Sequence, residues 1–136
     1  MLFRSIIISR TDAIGDVVLT LPMAALIKET AGKNVKVIFF GKTYTQPIIE
    51  ACDMIDSFIN YDTFKTLDKN GKAKFLKDYN ADAIIHVFPR SEIASAAKQA
   101  GIKYRIGTTN RLYHWLNCNK LVRLSRKKSE LRFVQL

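Results

Sequence analysis

The chain has 136 residues, 48% of them apolar, which is ordinary for one globular domain. No apolar run approaches the ~20 residues that a membrane-spanning helix needs, and the N-terminus leads into a predicted strand without a signal peptide. The formal net charge of +10 favours anionic partners such as phosphorylated lipid, nucleotide or nucleic acid.

Strand and helix patterns alternate from the N-terminus. Residues 3–9 form the first predicted strand, because the isoleucines at 6–8 make a β-branched run typical of a buried parallel strand. A polar turn leads to a helix predicted over residues 16–30, in which Pro22 either starts the main helix or kinks it. Its apolar residues lie nearly all round, which predicts burial on more than one side.

Further strands are predicted at 35–40, 57–61, 83–87 and 103–106, separated by helices ending near 52 and spanning 63–79 and 91–100. Gly32 is predicted to end the first helix, and Asn70-Gly71 to interrupt residues 63–79. Ser91 is the expected N-cap of the helix at 91–100. A short aromatic helix at 111–116, a strand at 121–124 and a helix from 129 onwards complete the prediction.

This alternation predicts an α/β fold, a Rossmann-like parallel sheet with helices on both faces. Open sheets of this kind bind ligands beyond the carboxyl ends of their strands. The turns that follow the predicted strands therefore hold the candidate functional residues.

The first turn carries two carboxylates and a basic residue. Gly15 allows the backbone to bend or to approach a ligand closely. Asp16 is a candidate general base for removing a hydroxyl proton, or else a residue that caps the following helix. Asp12 is expected to hydrogen-bond its own backbone, and Arg10 either pairs with one of the carboxylates or contacts a phosphate.

Two later turns carry basic residues. Gly41-Lys42-Thr43 is similar to the end of a Walker phosphate loop, but Lys36 stands where that loop needs a glycine. This segment is therefore an ordinary turn or a ligand contact made by Lys42. After the strand at 83–87, Arg90, the Ser91 hydroxyl and the free amides of the next helix suit a phosphate or a sugar acid.

The remaining reactive side chains favour structural roles. His86 lies inside an apolar strand, and His114 stands beside a tryptophan on the aromatic helix, so both are expected to pack in the interior. No cluster has metal-ligand spacing, and no metal site is expected. Cys52 and Cys118 form no CxxC pair, which favours free thiols in a reducing cytoplasm.

Residues 10–22 resemble the N-terminal motif of glycosyltransferase family 9, the ADP-heptose:lipopolysaccharide heptosyltransferases. That motif is a basic residue, a short polar segment, Gly-Asp-Val, a leucine and a proline. It is matched here by Arg10, residues 11–14, Gly15-Asp16-Val17-Val18-Leu19 and Pro22. The similarity continues at 81–95, at 101–107 and at 128–136, so it covers nearly the whole chain but only about half of such an enzyme.

The resemblance implies the acceptor-side half of a two-domain GT-B enzyme. Residues 1–128 would form the Rossmann-like domain, and 129–136 would begin the connection to an absent domain that binds the nucleotide sugar. The implied reaction is transfer of heptose from ADP-heptose, with inversion, to an acceptor of the lipopolysaccharide core. No cofactor is implied. Asp16 would be the base, and the acceptor would contact Arg10, Thr11, Gly15, Lys42, Arg90 and Ser91.

The implied partners are a phosphorylated acceptor of the lipid A inner-core type and a nucleotide-sugar donor held by the missing half. No nucleic acid is expected. Residues 120–132 contain six basic residues against Glu130, and form either a solvated surface or a peripheral contact with the anionic inner membrane. The protein is expected in the cytoplasm.

Two other interpretations remain open at this stage. One is a non-catalytic Rossmann-like module that binds an anionic ligand or a partner chain, and the other is one half of a split protein. Under the main interpretation, the chain by itself is expected to have negligible transferase activity.

Overall fold

A seven-stranded sheet forms the centre of the molecule. The computed structural model describes residues 3–108, 120–124 and 133–135. The strands are β1 (Ser5–Ser9), β2 (Lys36–Gly41), β3 (Ser57–Asn60), β4 (Ala83–His86), β5 (Tyr104–Thr108), β6 (Lys120–Leu124) and β7 (Phe133–Gln135). Their order in the sheet is β3-β2-β1-β4-β5-β6-β7.

Strand β1 lies in the interior of the sheet, between β2 and β4. Ile7 is opposite Ile38 on one side and Ile84 on the other, and all five residues of β1 are buried. The pairs from β3 through to β6 are parallel, and β7 pairs antiparallel with β6. Parallel pairing requires crossover connections, which helices supply between the strands from β1 to β5.

The helices are α1 (Ile14–Thr20), α2 (Pro22–Ala31), α3 (Gln46–Glu50), α4 (Tyr61–Phe64), α5 (Lys69–Lys77) and α6 (Ser91–Gln99), with a 3₁₀ turn at Thr43–Thr45. Successive residues of β1 pack on opposite faces of the sheet. Ile7 belongs to a core cluster with residues of α4, α5 and α6, whereas Ile6 and Ile8 pack with residues of α1, α2 and α3. Both faces are covered, and the predicted α/β, Rossmann-like fold is confirmed.

The first predicted helix is two helices. Pro22 is the first residue of α2, so it starts the second helix, one of the two predicted alternatives. Gly32 ends α2 with a φ of 116°, as predicted. The prediction of burial on more than one side is wrong, because Leu19 is 75% exposed and Leu26 is 57% exposed. The apolar pattern shows which side chains can be buried. Whether the outer face of a helix is buried depends on whether another element of the chain packs against it.

Three other local predictions are corrected by the structure. Asn70-Gly71 does not interrupt a helix but lies in the first turn of α5, because Asp68 caps that helix by accepting a hydrogen bond from the Gly71 N–H at 2.7 Å. Ser91 is not an N-cap. Its backbone is already helical, and the extended Arg90 takes the cap position without a side-chain bond.

The helix predicted from 129 is replaced over Phe133–Gln135 by strand β7, whose backbone groups pair with β6. The predicted strand at 121–124 is confirmed as part of β6. The aromatic helix at 111–116, His114 and Cys118 lie outside the described residues, and the domain boundary at 128 stays a prediction. Within the described parts of the chain, every helix is too short or too polar to cross a membrane.

A matched pair of leucines tests the assignment of core and surface. Leu76 of α5 is fully buried in the cluster around Ile7, whereas Leu19 is 75% exposed. We expect Leu76→Ala to lower the free energy of unfolding by about 2–5 kcal/mol, because it leaves a cavity. Leu19→Ala, the same change on the surface, is expected to stay within about 0.5 kcal/mol. Urea denaturation of both variants measures this, and equal losses would contradict the assignment.

Candidate functional site at the carboxyl edge of the central strands

Three turns meet at the carboxyl edge of β2, β1 and β4. Ser9, the last residue of β1, is in register with Phe40 of β2 and His86 of β4. The ladder continues one step further, where the Arg10 N–H donates to the Phe40 carbonyl at 3.0 Å and the Val87 N–H donates to the Ser9 carbonyl at 3.0 Å. Since neighbouring strands are about 4.8 Å apart, the three turns lie side by side.

Arg10 holds both carboxylates of the first turn. Its Nε lies 3.1 Å from Asp12 Oδ1, and its Nη2 lies 3.4 Å from Asp16 Oδ1. The side chains of Arg10 and Asp12 are 14% and 16% exposed, whereas that of Asp16 is 48% exposed. The ion-pairing alternative for Arg10 is therefore confirmed, and Asp16 is the carboxylate of the three-residue cluster that faces solvent.

Asp16 does not cap the helix. It is the third residue of α1. Ala13 takes the cap position, and the helix start has no side-chain capping hydrogen bond. The capping alternative is therefore wrong. Its carboxylate still lies in the first turn of α1, where the helix dipole favours a negative charge.

Asp12 is the more enclosed partner. Burial raises the pKa of the Asp12 carboxyl, and the nearby Asp16 carboxylate adds to this rise, while the Arg10 guanidinium and the residue's own backbone N–H oppose it. The two acids that share Arg10 thus differ in environment, one enclosed and one open. Sequence spacing alone does not reveal which one faces solvent.

Gly15 adopts an ordinary helical conformation as the second residue of α1, so the predicted bend is absent. A Cβ placed on it would meet nothing within 4 Å. The open space beside its backbone leaves room for a close ligand approach, which stays a prediction.

Arg90 links the third turn to the first. Its Nε donates to the Thr11 hydroxyl, and its Nη2 donates to the Thr11 carbonyl at 3.1 Å. Thr11 is fully buried, so it contributes to this edge by holding Arg90. The guanidinium carbon lies 4.6 Å from the centre of the Tyr61 ring and 5.1 Å from that of Phe88. Ser91, the first residue of α6, is exposed at the same edge.

Tyr61 belongs to this cluster, although no sequence pattern singled it out. It begins α4 directly after β3 and is 5% exposed. Its hydroxyl donates to Glu92 Oε1, while Lys72 Nζ lies 3.3 Å from Glu92 Oε2. Burial, reinforced by the bond to Glu92, raises the pKa of Tyr61 to about 12. The sequence prediction placed Tyr61 inside the strand at 57–61, whereas a residue directly after the strand would have been a candidate for this edge.

The second turn is fixed to its neighbours on both sides. The Thr43 N–H donates to Asp62 Oδ2 at 2.8 Å, and the Tyr44 hydroxyl donates to the Asp12 carbonyl at 3.1 Å. Gly41 is closely surrounded here, because an added Cβ would lie 3.0 Å from Thr45 Oγ1 and 3.2 Å from Ile49 Cδ1, and these side chains would have to shift. Lys42 is partly buried, and among the described residues its ammonium makes no hydrogen bond or ion pair.

His86 and two surface grooves are the other candidate features. His86 is 1% exposed at the end of β4, which confirms the interior placement predicted for it. No group of three or more His, Cys, Asp or Glu side chains within the described part of the chain is arranged to hold a metal ion. A groove of about 910 Å³ runs along the outer face of α2, and a smaller one of about 270 Å³ lies between α5 and α6 beside Lys72 and Glu92.

The fold of the chain is similar to that of several solved glycosyltransferase structures. The chain is similar to the glycosyl transferase family 9 structure from Veillonella parvula DSM 2008, with a TM-score of 0.74 and 19% identity over 93% of this chain and 37% of that one. It is similar to E. coli ADP-heptose lps heptosyltransferase II, with a TM-score of 0.71 and 14% identity over 90% of this chain and 35% of that one. It is also similar to E. coli heptosyltransferase WaaC with ADP, with a TM-score of 0.69 and 17% identity over 91% of this chain and 42% of that one.

At these identities the likeness establishes the fold, and the resemblance seen in the sequence is confirmed at that level. No protein-family model and no curated protein matches the chain. The chain spans less than half the length of each of the three structures.

Asp62 provides a pH-dependent test of the second turn. The Thr43 backbone N–H, together with the Thr43 side chain and Lys65, lowers the pKa of Asp62 to about 2 from its ordinary 3.8. A carboxyl with a lowered pKa stabilises the fold above its unfolded pKa and loses this effect as the pH falls through the folded one. We expect Asp62→Asn to lower the free energy of unfolding at pH 7 by about 1 kcal/mol. This is the contribution of a hydrogen bond to a charged group, reduced because the carboxylate is partly exposed.

The difference from the wild type should shrink as the pH falls from about 4 to about 2, in urea unfolding followed at each pH. Asp78→Asn, on an exposed residue, is the control and should change little. A difference that stays constant with pH would contradict the role given to Asp62.

Proposed function

We propose that this chain is the acceptor-side domain of a glycosyltransferase of the heptosyltransferase type, with Asp16 as its catalytic base. The observation that carries the proposal is the position of Asp16 at the carboxyl edge of a fold shared with such enzymes. Its carboxylate is 48% exposed and 3.4 Å from Arg10. Open α/β sheets bind their ligands at that edge.

Glycosyl transfer with inversion needs a group that removes the proton from the acceptor hydroxyl as its oxygen attacks the anomeric carbon. The nucleoside diphosphate leaves from the opposite side of that carbon with the bonding electrons. A solvent-facing carboxylate can take the proton, provided that it is held in one orientation. Arg10 supplies that orientation, since its guanidinium also pairs with the enclosed Asp12 at 3.1 Å and so is itself fixed.

The acceptor is proposed to be a phosphorylated glycolipid of the lipopolysaccharide inner core. Lys42 and Arg90 follow the strands on either side of β1, and Ser91 and the open backbone at Gly15 lie at the same edge. The formal charge of +10 attracts an anionic acceptor. E. coli heptosyltransferase II and heptosyltransferase WaaC are more than twice as long as this chain, so we assign donor binding to a further domain. No cofactor takes part in the proposed reaction.

The reaction is proposed to take place in the cytoplasm, with peripheral contact between the basic residues 120–132 and the anionic inner membrane. Such a contact would bring the protein to a membrane-embedded acceptor by electrostatic attraction.

A second candidate is a non-catalytic module that binds an anionic ligand. It is favoured by one specific observation, the ion pair between Arg10 and Asp16, which offsets the charge of the carboxylate. In that case Lys42 and Arg90 would bind the ligand and Asp16 would only hold Arg10 in place.

Asp16→Asn separates the two candidates. In a polypeptide that joins this chain to a nucleotide-sugar-binding domain, we expect kcat for heptose transfer to fall by about 10²–10⁴, because the amide cannot accept the proton. Binding of the phosphorylated acceptor should be almost unchanged. Asp53→Asn, on an exposed residue that lines the groove along α2, is the control and should retain activity. Full activity of Asp16→Asn would refute the catalytic role.

The chain by itself is expected to show negligible turnover of ADP-heptose, because the residues assigned to donor binding are not part of it. Release of ADP in the presence of the acceptor measures this. Turnover by the isolated chain that depends on Asp16 would show that donor binding lies within these residues and would overturn this division of roles.

A further inference from the structure

Arg90 is held from three directions at the carboxyl edge. Two of its N–H groups donate to the hydroxyl and the carbonyl of the fully buried Thr11. Its guanidinium carbon also lies over the rings of Tyr61 and Phe88, at 4.6 and 5.1 Å from the ring centres. Cations are attracted to the faces of aromatic rings at such distances. A long and normally mobile side chain is thereby fixed in one position.

Tyr61 is itself immobilised. Its ring is part of the core cluster, 6.1 Å from the rings of both Phe40 and Phe64. Its hydroxyl donates to Glu92, which also lies 3.3 Å from Lys72. Although burial opposes ionisation, the bonds from Tyr61 and Lys72 lower the pKa of Glu92. Near neutral pH, Tyr61 is therefore a neutral donor and Glu92 a charged acceptor, and the bond between them is stable.

This arrangement leaves a defined part of Arg90 available. A guanidinium has five N–H donors in one plane, and the described residues accept from only two of its nitrogens, Nε and Nη2. Nη1 and the second N–H of Nη2 therefore remain available, and together they form one edge of the guanidinium at which a ligand can bind. Two oxygens of a phosphate group match the paired N–H groups at that edge.

We propose that Tyr61 is a positioning residue, which together with Glu92 holds Arg90 ready to bind a phosphate group of the acceptor edge-on. The inference rests on the proposed acceptor-side role of this edge. Through Thr11, the same contacts connect the phosphate position to the turn that carries Arg10 and Asp16. A bound phosphate is thereby placed at a fixed distance from the proposed base.

Binding of inorganic phosphate to the full 136-residue chain tests the proposal, with NMR signals of the arginine side-chain N–H groups as the readout. In the wild type we expect saturable binding that shifts the Arg90 signal, with acetate binding more weakly. Arg90→Ala should abolish the binding, and Arg90→Lys should weaken it about tenfold, because lysine keeps the charge without the planar pair of donors.

Tyr61→Leu removes the ring beneath Arg90, and we expect phosphate affinity to fall about three- to tenfold, the range of a cation–π contact at a partly exposed site. Tyr61→Phe keeps the ring and loses only the bond to Glu92, so its loss should be smaller. Tyr79→Leu is the matched control, since Tyr79 packs on Phe75 in the same core cluster but does not contact Arg90. Its phosphate affinity should match the wild type.

Urea unfolding of each variant shows whether it is folded. If Tyr61→Leu does not fold, Tyr61→Phe and Arg90→Lys still test the proposal.

Absence of phosphate binding by the wild type, or unchanged affinity in Arg90→Ala, would overturn the proposal. Equal losses in Tyr61→Leu and Tyr79→Leu would also overturn it, because they would show a general effect of core packing. The proposed catalytic role is tested separately, since Asp16→Asn should lose transfer and keep phosphate binding. Loss of transfer in Asp16→Asn, combined with unchanged phosphate affinity in the Arg90 and Tyr61 variants, would leave the proposed function standing and remove this inference.

Discussion

The parallel register of β2, β1 and β4 is the constraint on which the rest of the site depends. Because Ser9 is level with Phe40 and His86, three turns that are distant in sequence begin at the same height. Arg10 and Arg90 then hold side chains of these turns together, the first by pairing with two carboxylates and the second through Thr11. A slip of one residue in either pairing would reverse the faces of a strand and separate these partners.

Most of the fold follows from patterns in the sequence that are local. The β-branched run at 6–8 predicted the central strand, and Pro22 and Gly32 marked a helix start and a helix end because each restricts or widens the allowed backbone angles. The C-terminal strand was missed because a distant partner decides the outcome there. Strand β7 exists because β6 offers its backbone groups, and no property of residues 133–135 alone specifies that pairing.

The site was predictable in outline and not in its contacts. The turn at 10–16 was identified from its carboxylates and from its place after a strand, and the structure does bring Arg10, Asp12 and Asp16 together. The division into an enclosed and an exposed acid depends on burial, which the spacing of residues does not encode. Tyr61 was missed for a related reason, since its partners Arg90 and Glu92 are 29 and 31 positions away and only the folded sheet brings them close.

The central place of β1 also affects how the chain folds during synthesis. This strand is made before the other strands of the sheet, yet one of its two neighbours, β4, follows more than seventy residues later. The Ser5 N–H then donates to the Asp82 carboxylate at 3.2 Å, across the same stretch of chain. Closing so long a loop precedes any gain from the contacts it forms. On a ribosome, the apolar first strand therefore remains without one partner until the fourth emerges, and this interval is when chaperones or aggregation compete for it.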